Sequence, residues 1–101
     1  MVAIFEENLR EIERICKQRK VAKLYSFGSV NTDTFTSDSD IDLLVEFKEI
    51  FTENYADNYL DMCYELEEIL GRKVDLVTSR SVKNPVFKKQ IENSRELIFH
   101  E

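Results

Sequence analysis

The stretch from Phe27 to Leu43 constrains this chain more than any other. It reads Phe27-Gly28-Ser29, a polar segment, then Ser39-Asp40-Ile41-Asp42-Leu43. An apolar run, Val21 to Phe27, leads into Gly28-Ser29 and reads as a strand. Val30 to Asp38 carries Asn, Thr, Ser and Asp but few apolar residues, and reads as a loop. Asp40 and Asp42 then open a second apolar run, Ile41 to Phe47. Side chains alternate between the faces of a strand. Asp40 and Asp42 therefore share one face, and Ile41, Leu43, Val45 and Phe47 share the other. Two like charges at the head of a buried strand are unfavourable without a partner. A hard divalent cation such as Mg²⁺ is the natural one, since it takes oxygen ligands and is often shared with substrate phosphates. Gly28-Ser29 supplies what phosphates need: a residue without a side chain, a hydroxyl, and backbone N–H groups at a candidate helix start.

The chain as a whole is long enough for one domain, residues 1–101, with 43% hydrophobic residues to form one modest core. No run is long enough to span a membrane, and Met1 to Arg10, with Glu6 and Glu7, lacks a signal pattern. The expectation is a cytoplasmic protein. Cys16 and Cys63 fall in helix-like segments and read as small hydrophobes rather than a disulfide or a reactive thiol. His100, the single histidine, is penultimate, so neither His-based catalysis nor a zinc site is expected. A net charge of −6 argues against broad nucleic-acid binding. Two basic clusters stand out: Lys17, Arg19, Lys20 and Lys23, and later Lys83, Lys88 and Lys89. Both read as solvated helix surface, with contact to a triphosphate or an acidic partner as the alternative.

Periodicity sets the other elements. Phe5, Leu9, Ile12 and Cys16 recur at helical spacing and predict an amphipathic helix over Ile4 to Arg19. The second strand runs from Asp40 to Glu46 or Phe47, and Lys48 to Asn54 is a connection. Asn54 or Asp57 is the expected cap of a helix reaching about Leu70, stopped by Gly71. Lys73 to Thr78 reads as a third strand, with Val74 and Leu76 facing one way and Asp75 and Val77 the other. Pro85 suits the first turn of a helix ending near Glu92 and anchored by Val86, Phe87 and Ile91. Glu96 to Phe99 is either a short strand or a packed tail. This order predicts the α/β (α+β) class, a small mixed β-sheet flanked by helices.

Asp75 stands out because a buried strand otherwise has little use for an acid. It is read either as a salt-bridge partner of Arg72 or Lys73, or as a third carboxylate beside Asp40 and Asp42. Three carboxylates near one point suit a two-metal site for transfer chemistry on phosphates. Asp38 shares the parity of Asp40 and Asp42 but reads as a loop residue.

Gly-Ser, ten residues, then Asp-x-Asp resembles the signature of the DNA polymerase β-like nucleotidyltransferase superfamily. The run YSFGSVNTDTFTSDSDIDLLVEF, from Tyr25 to Phe47, is similar to the minimal nucleotidyltransferases. Those are stand-alone domains often paired with a HEPN-domain protein in prokaryotic toxin–antitoxin systems. The resemblance implies the compact nucleotidyltransferase fold, with acids on neighbouring strands. It implies an enzyme that moves AMP from ATP to an acceptor hydroxyl, with Mg²⁺ as cofactor. By resemblance Asp40, Asp42 and Asp75 are catalytic and hold metal, and Gly28 and Ser29 hold the nucleotide's phosphates. The acceptor it implies is a tyrosine of a HEPN-domain toxin, with this chain as antitoxin. One departure stands out: Val30, Asn31 and Thr32 follow Gly28-Ser29 where relatives often carry small and basic residues. That puts nucleotide affinity in question more than the acids. Two other functions remain open: a subunit that masks its partner by contact alone, and a subunit of a small-molecule nucleotidyltransferase. Oligomeric state also stays open.

Overall fold

The amphipathic segment at the start of the chain forms, but as two helices, α1 (Ala3–Glu7) and α2 (Leu9–Gln18). The computed structural model describes residues 2–32, 35, 36, 38–49 and 52–101. Asn8 makes the break. Its side-chain amide donates to the Ile4 carbonyl at 2.8 Å, taking the acceptor that the Asn8 backbone N–H would use in a continuous helix. The backbone N–H turns to Phe5 O instead. The apolar stripe survives the break: Phe5, Ile12, Ile15 and Cys16 are all buried.

β1 (Val21–Phe27), β2 (Ile41–Phe47), β3 (Val74–Thr78) and β4 (Glu96–His100) form one sheet in the order β3-β2-β1-β4. β1 is antiparallel to both β2 and β4, and β2 is parallel to β3. A parallel pair needs a crossover, here α3 (Thr52–Leu70). The helix begins before the expected caps, so Asn54 and Asp57 lie inside it. Tertiary packing anchors the first turn: the Tyr55 ring meets Phe47, at the end of β2, edge-on at 5.5 Å. Residues 50 and 51, part of the expected connection, lie outside the described residues. Gly71 ends α3 as expected, at φ 66°, its N–H donating to Glu67 O at 2.9 Å.

The two faces of the sheet are covered unequally. Leu24, Ile41, Leu43, Val45, Val74, Leu76 and Ile98 share one buried cluster with Ile12, Ile15, Met62 and Leu66. The opposite face has a smaller cluster, Phe27, Leu44 and Ile91, with Tyr25, Val77 and Val82 around it. Its cover is α4 (Pro85–Ser94), capped by Asn84, whose side-chain oxygen accepts from Val86 N and Phe87 N. Of the three expected anchors of α4, Ile91 is buried, Phe87 is 38% exposed and Val86 is 66% exposed. Phe87, four residues before Ile91, still touches Phe27 edge-on, but Val86 lies about 140° round the helix from Ile91 and points outward. Among the described residues no helix is long and apolar enough to cross a membrane.

Candidate active site

The site is built where β1 ends, beside the first residues of β2 and β3. β1 delivers Gly28 at φ 75°, a conformation that glycine adopts at no steric cost. A 3-10 turn, Gly28–Asn31, follows instead of an α-helix start. Thr32 closes it, its N–H and its hydroxyl both donating to Ser29 O, at 3.0 and 2.9 Å. Four residues are too few for a helix dipole, so what the turn offers an anion is local N–H groups and the Ser29 hydroxyl.

Strand register brings the acids in. Asp42 lies opposite Phe27 on β1 and level with Asp75 on β3. Parity puts Asp42 with Leu44, and Asp75 with Val77, on the α4 side of the sheet. Asp40 lies just before β2 and is exposed, so the strand begins one residue later than expected. Burial raises the Asp42 carboxyl above the ordinary carboxylate range, and the charges of Asp75 and then Asp40 raise it further. The charges of both other acids therefore reach Asp42. A Cβ at position 28 would stand 2.5 Å from Asp42 Oδ2. Glycine is needed here because the Asp42 carboxylate lies against its backbone.

Among the described residues, no three His, Cys, Asp or Glu side chains form a ready metal cage. The donor chemistry still fits Mg²⁺. The donors are all oxygen, their like charges repel, and this ion commonly uses one or two carboxylates and completes its shell with water and substrate phosphate.

Asp75 is in none of the ion pairs seen among the described residues. Its expected alternative partner Arg72 is engaged elsewhere, donating to Thr36 O at 2.6 Å and Ser39 O at 3.2 Å. The Arg72 guanidinium also lies 4.3 Å from the centre of the Phe35 ring. Arg72 thus fastens the loop that leads into Asp40, a role that sequence spacing did not reveal. Asp38 is an exposed turn residue, as expected. Of the early basic cluster, Arg19 is committed to α3, paired with Glu65 at 2.6 Å and Asp61 at 3.8 Å. Cys16 and Cys63 are free thiols. Burial holds the Cys16 thiol up at about 12, too high for a nucleophile at neutral pH.

A mixed sheet with two acids at adjacent strand starts against a glycine turn is the architecture of a nucleotidyl-transferring enzyme. The family model for the nucleotidyltransferase domain matches residues 9–98, and the chain belongs to that family. It is an enzyme of the nucleotidyltransferase kind. It is 43% identical over 88 residues to a Methanocaldococcus jannaschii protein named "Putative protein adenylyltransferase MJ1379", covering 86% of this chain and 87% of the relative. The protein adenylyltransferase MntA of Thermococcus cleftensis is 32% identical over 99 residues, with coverage of 90% and 94%. Among solved structures, a "putative minimal nucleotidyltransferase" superposes with a TM-score of 0.76 at 27% identity, over 91% of this chain and 90% of that one. A chain from the complex of the tri-AMPylated Shewanella oneidensis HEPN toxin with its MNT antitoxin superposes with a TM-score of 0.67 at 21% identity. That match covers 95% of this chain and 72% of the other.

Proposed function

We propose that this protein moves AMP from ATP onto a hydroxyl of a HEPN-domain toxin, a tyrosine by the family pattern, and so acts as its antitoxin. The observation that carries the reading is the register of Asp42 with Asp75 beside a glycine whose backbone lies against Asp42. Relatives named as adenylyltransferases and a neighbouring fold crystallised with an AMPylated HEPN toxin support the substrate class. A protein that uses ATP in this way belongs in the cytoplasm.

In this reading the Gly28 and Ser29 N–H groups and the Ser29 hydroxyl hold the β- and γ-phosphates. Asp40, Asp42 and Asp75 hold Mg²⁺, which when bound offsets the charge on the phosphates and on the leaving pyrophosphate. Asp75, exposed at the mouth of the site, accepts the proton of the acceptor hydroxyl. The acceptor oxygen forms a bond to the α-phosphorus. The bond from that phosphorus to the bridging oxygen breaks, and pyrophosphate departs. The chain orients both reactants and spends little on covalent chemistry, so positioning dominates the rate.

The test is incubation with labelled ATP, Mg²⁺ and a candidate HEPN-domain chain encoded in a neighbouring reading frame. Label on a tyrosine of that chain, found by mass spectrometry, is the expected outcome. Neutralisation of the partner with no label on it would instead leave a protein that masks by contact.

A further inference from the structure

Asn31 ends the 3-10 turn and holds it from two sides. Its side-chain NH₂ donates to Ser26 O at 3.0 Å and to Ser94 O at 3.1 Å. Its side-chain carbonyl accepts from the Ser26 hydroxyl at 2.9 Å. Ser26 is 1% exposed, so Asn31 satisfies a buried hydroxyl on β1 as well as a carbonyl. Ser94 is the last residue of α4, where helix carbonyls lack an intrahelical partner. One side chain thus ties the turn to the end of β1 and to the helix that covers the acidic face. Its neighbour Val30 is buried in the main core and gives the turn an apolar anchor, while Asn31 gives the polar one.

The positions after Gly28-Ser29 carry no cation. Without a charge to draw the triphosphate in, the turn depends on N–H groups that are already aimed, because reorganising them on binding would weaken the interaction. We propose that Asn31 is a positioning residue for nucleotide. It holds the Gly28-Ser29 turn in its phosphate-binding shape and links that shape to the docking of α4. This rests on the transfer reading above.

The test compares wild type with Asn31→Ala, which removes all three bonds, and with Asn31→Asp. Asn31→Asp keeps the acceptor for Ser26 but replaces both donated bonds by repulsion between oxygens. Steady-state transfer from ATP to the HEPN-domain partner is measured with each substrate varied in turn. Asn31→Ala should raise the KM for ATP about tenfold and leave the KM for the partner within about twofold, since only the phosphate turn is disturbed. If Asn31→Ala does not fold, Asn31→Asp carries the same comparison. An unchanged KM for ATP in a folded, active variant overturns the proposal and leaves the transfer reading standing. A parallel loss of all activity in step with the unfolded fraction also overturns it, because Asn31 then only supports the fold. Amide exchange at Thr32, whose N–H closes the turn, needs no nucleotide. It should speed up in either variant, and unchanged exchange overturns the clamp even if the wild type transfers no AMP.

Discussion

The two faces of the sheet divide the work of this molecule. On the side of α2 and α3, Leu24, Ile41, Leu43, Val45, Met62 and Leu66 pack with almost no exposure. On the side of α4 the buried cluster is Phe27, Leu44 and Ile91, and the same face carries Asp42 and Asp75 at its open end. Strand alternation links the two outcomes: every residue that points an acid into the site has neighbours that point apolar side chains into the core. The heavily covered face supplies the stability. The lightly covered face can hold repelling charges because little is packed over them. A site of this kind is carried by the fold at a cost that the opposite face offsets.

The comparison breaks first on core truncation. Leu66→Ala, on the heavy face, should cost roughly 3–5 kcal/mol, and Ile91→Ala, buried in the smaller cluster, about 2 kcal/mol, because fewer buried side chains surround it and the site can collapse. Thermal or urea unfolding of both variants checks this. Equal costs would mean that the faces share the load evenly. A smaller effect is expected at Gly28. Gly28→Ala forces a Cβ to within 2.5 Å of Asp42 Oδ2 at a φ of 75°. About 1–3 kcal/mol of stability should be lost. Asp42→Ala in the same chain should recover part of that loss, leaving the backbone strain. Full additivity in the double-variant cycle would show that the two residues do not meet.

The smallest effect has the opposite sign. Asp42 has a folded-state pKa raised by burial and by Asp75 and Asp40, so the folded chain binds its proton more tightly than the unfolded chain does. Below the ordinary carboxylate range both states are protonated and there is no penalty. As pH rises through the unfolded and then the folded value, the penalty grows, and it is complete above the folded value. Asp42→Asn should therefore raise the melting temperature by a few degrees at pH 7. The gain should shrink to nothing toward pH 3. Screening at a partly exposed site keeps it to a fraction of a kcal/mol. A destabilised Asp42→Asn at pH 7 would mean that the charge is already compensated within the chain.

Much of this was legible in the residues. β1 runs from Val21 to Phe27 as its apolar run indicates, and Pro85 and Gly71 mark a helix start and a helix end. Such features are local, set by backbone preference and burial parity. What was not legible depended on contacts between segments distant in sequence or on a side chain competing with its own backbone. Asn8 splits the first helix by taking Ile4 O. Tyr55 against Phe47 lets α3 start before its expected caps. At the candidate site, the nearness of Asp40 and Asp42 to Gly28-Ser29 was readable from spacing, whereas the place of Asp75 level with Asp42 depends on cross-strand register. The reason position 28 needs glycine was only half readable, because it lies in a cross-strand approach of Asp42. Arg72 was unreadable as a loop fastener because its acceptors are backbone carbonyls more than thirty residues away.

The central claim is that the light face is catalytic, and Asp75→Asn tests it most directly. The change keeps the size of a side chain that none of the ion pairs seen among the described residues uses, and it removes the charge proposed to hold metal and take the acceptor's proton. The variant and wild type are each co-purified with the proposed HEPN-domain partner, then supplied with ATP and Mg²⁺, and the partner is weighed by mass spectrometry. The account predicts that both pull the partner down. Wild type adds AMP, and the variant adds it at least about a hundredfold more slowly, since losing such a group commonly costs orders of magnitude in rate. Addition of AMP by Asp75→Asn at the wild-type rate would contradict it.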